Sequence, residues 1–276
     1  MINTSLRFKM NILEKQMCDI LKNCVENYGV VGTKAEFEAE GTRTDELLRL
    51  LEISNKAGAK IGLKIGGCEA IKDLYESKQL GVNYIIAPMV ETPYALEKFI
   101  KAKNLVYSEV EAEDTKFLFN CETKTTLNNI DEMIKVCRDS ERSIDGVVFG
   151  RVDFVGSLGL GRDSIESEQI TNSVLQVSKK CKEINIDLIV GGAVSYDARD
   201  NLRKFKSIHL SRFETRKIIF DSKSLDNKHL EQALKDAVHF ELLWLFNKRE
   251  YYSNINKEDD KRIEMLEARW KILENQ

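Results

Sequence analysis

Ala59-Lys60-Ile61-Gly62-Leu63-Lys64-Ile65-Gly66-Gly67 follows Asp45–Ala57, where Leu47, Leu48, Leu50, Leu51 and Ile53 recur at helical spacing. The first stretch reads as a strand and the second as a helix. Working outward, the same alternation recurs. Short runs rich in Val and Ile occur at Val30–Phe37, Ala59–Ile65, Val82–Val90, Lys116–Cys121, Asp145–Phe149, Asp187–Val194 and Ser207–Ser211. Helical patterns such as Thr92–Ala102 and Ser167–Ile184 separate them. Strand, helix, strand at a period of roughly 30 residues signals parallel β–α units. The runs lack clean polar alternation, as expected of strands covered on both faces. Seven such strands need one more to close a barrel, and Leu6–Met10, before a helix from Ile12 to about Val25, is the candidate; the other reading is one helix from Leu6 onward. The expected fold is therefore α/β, a (β/α)8 TIM-type barrel with a C-terminal helical extension. No Gly-x-Gly-x-x-Gly follows the first strand, which argues against a dinucleotide-binding domain.

The chain has 276 residues, enough for one barrel, which we expect to occupy residues 1–220. Residues 221–276 read as helices: Leu225–Phe246, almost wholly apolar from Phe240 on, then a break at Ser253–Lys257. Beyond it Ile263, Leu266, Trp270 and Leu273 recur at spacings of three, four and three. A helix apolar all round wants burial on all sides. These helices suggest a homo-oligomer contact; packing on the parent barrel is the alternative.

Lys plus Arg is 42 and Asp plus Glu is 45, a net charge of −3, which gives no basic surface for nucleic acid. No run approaches the ~18 apolar residues of a membrane span, and residues 1–15 lack a signal-peptide core. The six cysteines form no Cys-x-x-Cys pair and lie near no His at zinc spacing, so free thiols in a reducing cytoplasm are expected.

Barrel active sites lie at the C-terminal ends of the strands, and side chains alternate along a strand. In Lys34-Ala35-Glu36-Phe37-Glu38-Ala39-Glu40, the apolar face must meet the outer helices. Lys34, Glu36, Glu38 and Glu40 then point inward, unless the strand ends early and solvates them. Stacked carboxylates need a compensating cation. Lys64 shares the inward face of the next strand, as a counter-charge for Glu36 and Glu38 or a ligand for a substrate carboxylate. Asn120 and Glu122 end another strand, and Asp153 follows the next. Two acids at adjacent strand tips can hold one Mg²⁺ or Mn²⁺ through oxygen, although acids at strand ends are common. Gly191-Gly192 can bind phosphate or form an ordinary loop. Arg212 and Glu214 share a face and suit either a rim ion pair or a substrate contact.

Asn120-Cys121-Glu122-Thr123 through Asn129-Ile130-Asp131-Glu132, Asp145-Gly146 through Gly150-Arg151-Val152-Asp153 to Leu158-Gly159, and Ala87-Pro88-Met89-Val90 together resemble the HpcH/HpaI aldolase and citrate lyase family, in the right order. The resemblance implies Mg²⁺ or Mn²⁺ held by Glu122 and Asp153, with a 2-oxo acid such as pyruvate chelated to it. It implies that backbone N–H groups around Gly150, Arg151, Val152 and Asp153 hold the substrate carboxylate. It also implies assembly through C-terminal helices. The family's Arg on the Ala59–Ile65 strand is here Lys64, a point charge rather than a bidentate fork. Its Gly-Pro-Ala-Asp Pro is here Arg151, which adds a cation to the site or faces solvent. The aldolase branch's His has no counterpart, since His209, His229 and His239 lie elsewhere. The acids on the first strand look closer to the citrate-lyase branch. The expected function is thus a metal-dependent carbon–carbon lyase acting on a 2-oxo acid or acyl thioester through an enolate. Lys64 steadies the enolate, Glu38 or Glu36 handles protons, and Arg212 contacts substrate. The alternatives are a barrel enzyme acting on phosphoenolpyruvate or another phosphorylated substrate, and a non-catalytic assembly subunit whose pocket a Lys64–Glu38 ion pair closes.

Overall fold

In the computed structural model, which describes residues 10–274, eight strands close a barrel in the order β1 to β8. They are β1 Val30–Glu36, β2 Lys60–Lys64, β3 Tyr84–Ala87, β4 Lys116–Cys121, β5 Gly146–Gly150, β6 Asp187–Gly191, β7 Arg212–Glu214 and β8 Ile218–Asp221. Around them run α1 Ile12–Tyr28, α2 Thr44–Ala57, α3 Ile71–Leu80, α4 Pro93–Val106, α5 Glu109–Ala112, α6 Lys124–Asn128, α7 Ile130–Asp139, α8 Arg151–Ser157, α9 Glu168–Glu183, α10 Arg199–Ile208 and α11 Leu230–Glu274. Side chains that offer backbone N–H groups an acceptor start several helices: Asn11 caps α1 through Glu14 N, and Thr92 caps α4 through Ala95 N.

Six strands lie where the periodicity puts them. The seventh does not: α10 runs through Ile208, and the strand begins only at Arg212. The eighth is β8, which returns from β7 through the tight turn at residues 215–217 and pairs antiparallel with both β7 and β1. Residues 6–9 of the expected eighth strand lie outside the described residues, and Met10 is in neither helix nor strand.

Outward side chains such as Ala35, Leu63, Phe119, Phe149 and Val190 are buried under the helices. The interior is layered. Lys116, Asp187 and Arg212 meet at the bottom, where Arg212 also stacks 4.7 Å over the Tyr84 ring. Ile86, Leu118, Val148, Ile189 and Ile219 form an apolar middle. The polar layer above faces the open C-terminal end.

The C-terminal extension is one helix of 45 residues, not two. No Pro or Gly interrupts residues 230–274, and i,i+4 pairs such as Lys235–Glu231 and Arg262–Glu258 support it. It rises antiparallel to α1, with His229 near Tyr28 at the bottom and Asn247 accepting from Asn11 at the top. Burial in the apolar segment is one-sided. Phe240, Leu243 and Trp244 face the barrel, whereas Leu242, Leu245 and Phe246 are exposed. Beyond residue 253 every described side chain is exposed, so the helix projects about 30 Å from the body. No helix among the described residues is long and apolar enough to cross a membrane.

Candidate active site

A cleft of about 480 Å³ opens at the C-terminal ends of the strands. Glu38 lies just past β1, Lys64 ends β2, Glu122 follows β4, and Asp153 sits in the first turn of α8 after β5. Glu36, Gly150 and Val152 line the same cleft. The inward parity of β1 and β2 brings these charges together.

Lys64 is the hub. Its ammonium lies 3.3 Å from Glu38 Oε2 and 3.3 Å from Glu122 Oε2. Burial pulls its pKa down, but Glu122, Glu38 and Glu36 outweigh that and leave it raised. Lys64 is therefore an ammonium at neutral pH. Glu122, 1% exposed, is held from three sides. Oε2 accepts from Asn120 Nδ2 at 2.6 Å and from Lys64, and Oε1 accepts from Met89 N at 3.0 Å. Met89 reaches it from the left-handed region at φ 48°, a strained conformation of the kind that collects at functional sites. Gly150 leaves room for Glu122: a Cβ there would stand 3.0 Å from Glu122 Cβ and 3.1 Å from Oε2, so the carboxylate would have to give way by a few tenths of an ångström.

A second set of charges stands beside the first. Lys34 bridges Glu36 at 3.4 Å and Glu214 at 2.5 Å. Burial lowers the Lys34 pKa, yet Glu214 and Glu36 leave it well above the ordinary value. Glu36 is pushed up by burial but ends lowered, because Lys34 and Lys64 favour the carboxylate. Lys217, on the β7–β8 turn, donates to Glu40, and Arg216 lies 3.2 Å from the same carboxylate. Burial depresses the Lys217 pKa, with Glu40 opposing it.

The sequence turns Lys34 inward without assigning it a role and sets Glu214 at the rim beside Arg212; it misses Lys217 and Glu241. Glu241 comes from α11, which lines one wall with Val238. Burial raises its pKa, and Arg216 and Lys217 only partly offset this. Arg162 stands exposed at the rim with no ion pair among the described residues.

Two expected substrate contacts are elsewhere. Arg212 shares the inward face of β7 with Glu214 but starts the strand, at the barrel's opposite end, 2.9 Å from Asp187. It does not pair with Glu214. Arg151 neither enters the cleft nor faces solvent. It is 1% exposed and turns to Glu166 Oε1 at 2.8 Å and to the carbonyls of Gly191 and Gly192. It thereby ties α8 to the tip of β6. Gly192, at φ 84°, packs against this same corner, where a Cβ would come within 2.7 Å of Val152 N. No helix starts at Gly191–Gly192, since the next helical turn begins at Tyr196.

The donors on offer to a cation are oxygen. No group of three or more His, Cys, Asp or Glu side chains is arranged for a metal among the described residues. Glu122 and Asp153 nevertheless suit a hard ion that takes two carboxylates and completes its shell with water and substrate. Asp153 is exposed and has no hydrogen bond or ion pair among the described residues. Asn120 Oδ1 is buried with no partner there. The cleft carries six carboxylates (Glu36, Glu38, Glu122, Asp153, Glu214, Glu241) against four cationic groups (Lys34, Lys64, Arg162, Arg216), an excess of two negative charges. A carboxylate substrate is repelled there unless a divalent cation accompanies it. The residues fit such an ion.

A family model described as HpcH/HpaI aldolase/citrate lyase matches residues 43–210. Among solved structures, the chain is similar to an HpcH/HpaI aldolase from Desulfitobacterium hafniense DCB-2, at 14% identity and TM-score 0.58, covering 76% of this chain and 84% of that one. It is similar to an HpcH/HpaI aldolase/citrate lyase family protein from Burkholderia cenocepacia J2315, at 12% identity and TM-score 0.58, covering 81% and 90%. It is also similar to a variant of the citrate synthase SbnG, at 15% identity and TM-score 0.54, covering 81% and 89%. At such identities these structures bear on the fold alone. No match is found among the curated proteins.

Proposed function

The chain belongs to the HpcH/HpaI aldolase/citrate lyase family, and from that premise we propose that it is a divalent-metal-dependent carbon–carbon lyase acting on a 2-oxo acid or an acyl thioester. The observation that carries this is Lys64, a buried ammonium between Glu38 and Glu122 in a cleft with surplus negative charge. Glu122 and Asp153 would hold Mg²⁺ or Mn²⁺. When bound, the ion supplies Lewis acidity that draws electrons from a 2-oxo carbonyl.

The remaining work falls to side chains of the cleft. In the condensing direction a proton leaves C3 of the 2-oxo acid, and negative charge develops on the carbonyl oxygen. Lys64 stands fixed to meet that charge, a contribution on the order of 3 kcal/mol. Glu38 is the base of choice. Its Oε2 is buried with no hydrogen bond and only the 3.3 Å ion pair to Lys64, whereas Lys34 both bonds and pairs with Glu36 and keeps it a low-pKa carboxylate. Glu36 thus positions charge rather than moving protons. The start of α8, at Gly150 and Val152, orients the substrate carboxylate. Arg162 at the rim meets a distal negative group. Cleavage is the reverse: with a 4-hydroxy-2-oxo acid, Glu38 takes the proton of the C4 hydroxyl, the C3–C4 bond breaks, the aldehyde leaves and the proton is returned to C3; with a 3-hydroxyacyl thioester the C2–C3 bond breaks instead, the carbonyl compound leaves and C2 of the acyl thioester takes the proton.

The exposed half of α11 supports a homo-oligomer, and the near-even charge balance argues against nucleic acid as a partner. Six unpaired thiols support a cytoplasmic setting. The test is release of a 2-oxo acid from 4-hydroxy-2-oxo acids and of an acyl thioester from 3-hydroxyacyl thioesters, with Mg²⁺ or Mn²⁺ and with chelator. Metal-dependent turnover of either class is expected. Turnover unaffected by chelator, or none in either class, overturns the assignment.

A further inference from the structure

The exposed end of α11 carries its own complement. Every residue from 254 to 274 is exposed, and Ile263, Leu266, Trp270 and Leu273 stand 52%, 55%, 61% and 55% exposed on one stripe. Their spacing of three, four and three is a heptad seam, with Ile263 and Trp270 at a and Leu266 and Leu273 at d. The positions beside that seam are charged in an ordered way. Arg262 and Arg269 occupy g, and Glu267 and Glu274 occupy e. In a parallel pair of such helices, g of one strand faces the following e of the other, so Arg262 meets Glu267 and Arg269 meets Glu274 in both directions. In an antiparallel pair g faces g and e faces e, which sets Arg against Arg and Glu against Glu. Arg262 lies 3.5 Å from Glu258 of its own helix, but that pair is exposed and exchanges at little cost.

We propose that the occupant of this face is a second copy of the chain, joined as a parallel two-stranded coiled coil over residues 262–274. This rests on the reading of α11 as a subunit contact and adds its face, partner and direction. Ile263 at a with Leu266 at d suits two strands rather than three or four, and the second heptad sets Trp270 at a against Leu273 at d. Two heptads make a short seam, so the dimer is concentration-dependent. Its two-fold axis runs along the projecting helices, so both clefts open toward the same end. Each helix also lines its own cleft through Val238 and Glu241.

Sedimentation velocity of the full chain across the micromolar range tests this, with two variants. Leu266→Glu, at an exposed position, should abolish the dimer while leaving thermal unfolding of the barrel unchanged. Leu273→Cys, under mild oxidation, should form an interchain disulfide above the wild-type background of six native cysteines. A dimer that survives Leu266→Glu overturns the proposed face. A dimer lost in Leu266→Glu but not cross-linked by Leu273→Cys overturns the parallel direction and leaves the subunit contact standing. A wild-type monomer at every concentration overturns both.

Discussion

Lys64→Met removes the one ammonium that touches both Glu38 and Glu122. At 3.3 Å and an effective dielectric of ~20, each pair is worth about 5 kcal/mol before costs. Glu38 keeps 27% of its side chain exposed, so water takes over much of its share. Glu122 is 1% exposed and keeps only neutral donors, Asn120 and Met89 N. Stripping the partner from a buried charge costs about 3–5 kcal/mol, and returning Lys64's own desolvation places the net near 3 kcal/mol. Urea unfolding at pH 7 should show that loss. Adding Glu122→Gln should restore most of it, because a neutral amide needs no counter-charge. The double-mutant cycle isolates the pair. If Lys64→Met costs under about 1 kcal/mol and Glu122→Gln changes nothing on top of it, Lys64 is not the charge that holds this cleft together.

Gly150→Ala should lower Mn²⁺ affinity on the order of 10-fold in a titration while the barrel still folds, since the new Cβ crowds Glu122 Oε2. Arg212→Met should lose stability in urea, with Asp187 left to Lys116 and the Ser211 hydroxyl, yet keep kcat/KM. A large fall in kcat/KM at wild-type stability would return Arg212 to the substrate. Glu241 has a raised folded pKa, so its neutral form favours the fold. That contribution is whole below the ordinary 4.5 and is lost as pH rises through the folded value. Relative to wild type, Glu241→Gln should therefore gain stability between pH 4.5 and 8, measured by urea midpoints. Glu36 runs the other way. Its pKa is lowered, so its contribution is present above 4.5 and lost as pH falls, and Glu36→Gln should flatten the acid limb of stability.

Much of this was legible in the chain, because period and parity are local properties. The alternation of Val- and Ile-rich runs with helical stretches carried the barrel; the apolar set Ala35 and Phe37 forced Glu36 and Glu38 inward, and Ile61, Leu63 and Ile65 did the same for Lys64. Height along the barrel is not encoded by parity. Arg212 and Glu214 share a face, but one begins β7 and the other ends it, so only Glu214 reaches the cleft. β8 escaped notice because it is four residues long and returns by a hairpin, which a β–α period does not anticipate. Ser253–Lys257 looked like a break on propensity alone, but with no Pro or Gly the helix continues through it. Glu241 joins the site from a helix more than twenty residues past the last turn of the barrel, and no spacing rule links it to Lys217.

The most direct measurement is exchange of pyruvate methyl protons in D₂O, followed by NMR with Mg²⁺ or Mn²⁺ and no acceptor present. An enolate that forms between Lys64 and Glu38 should wash out the methyl signal only when metal and protein are together. The rate should fall in Asp153→Asn, Lys64→Met and Glu38→Gln. Exchange by the metal-loaded wild type no faster than by the metal alone would contradict the enolate reading of this cleft.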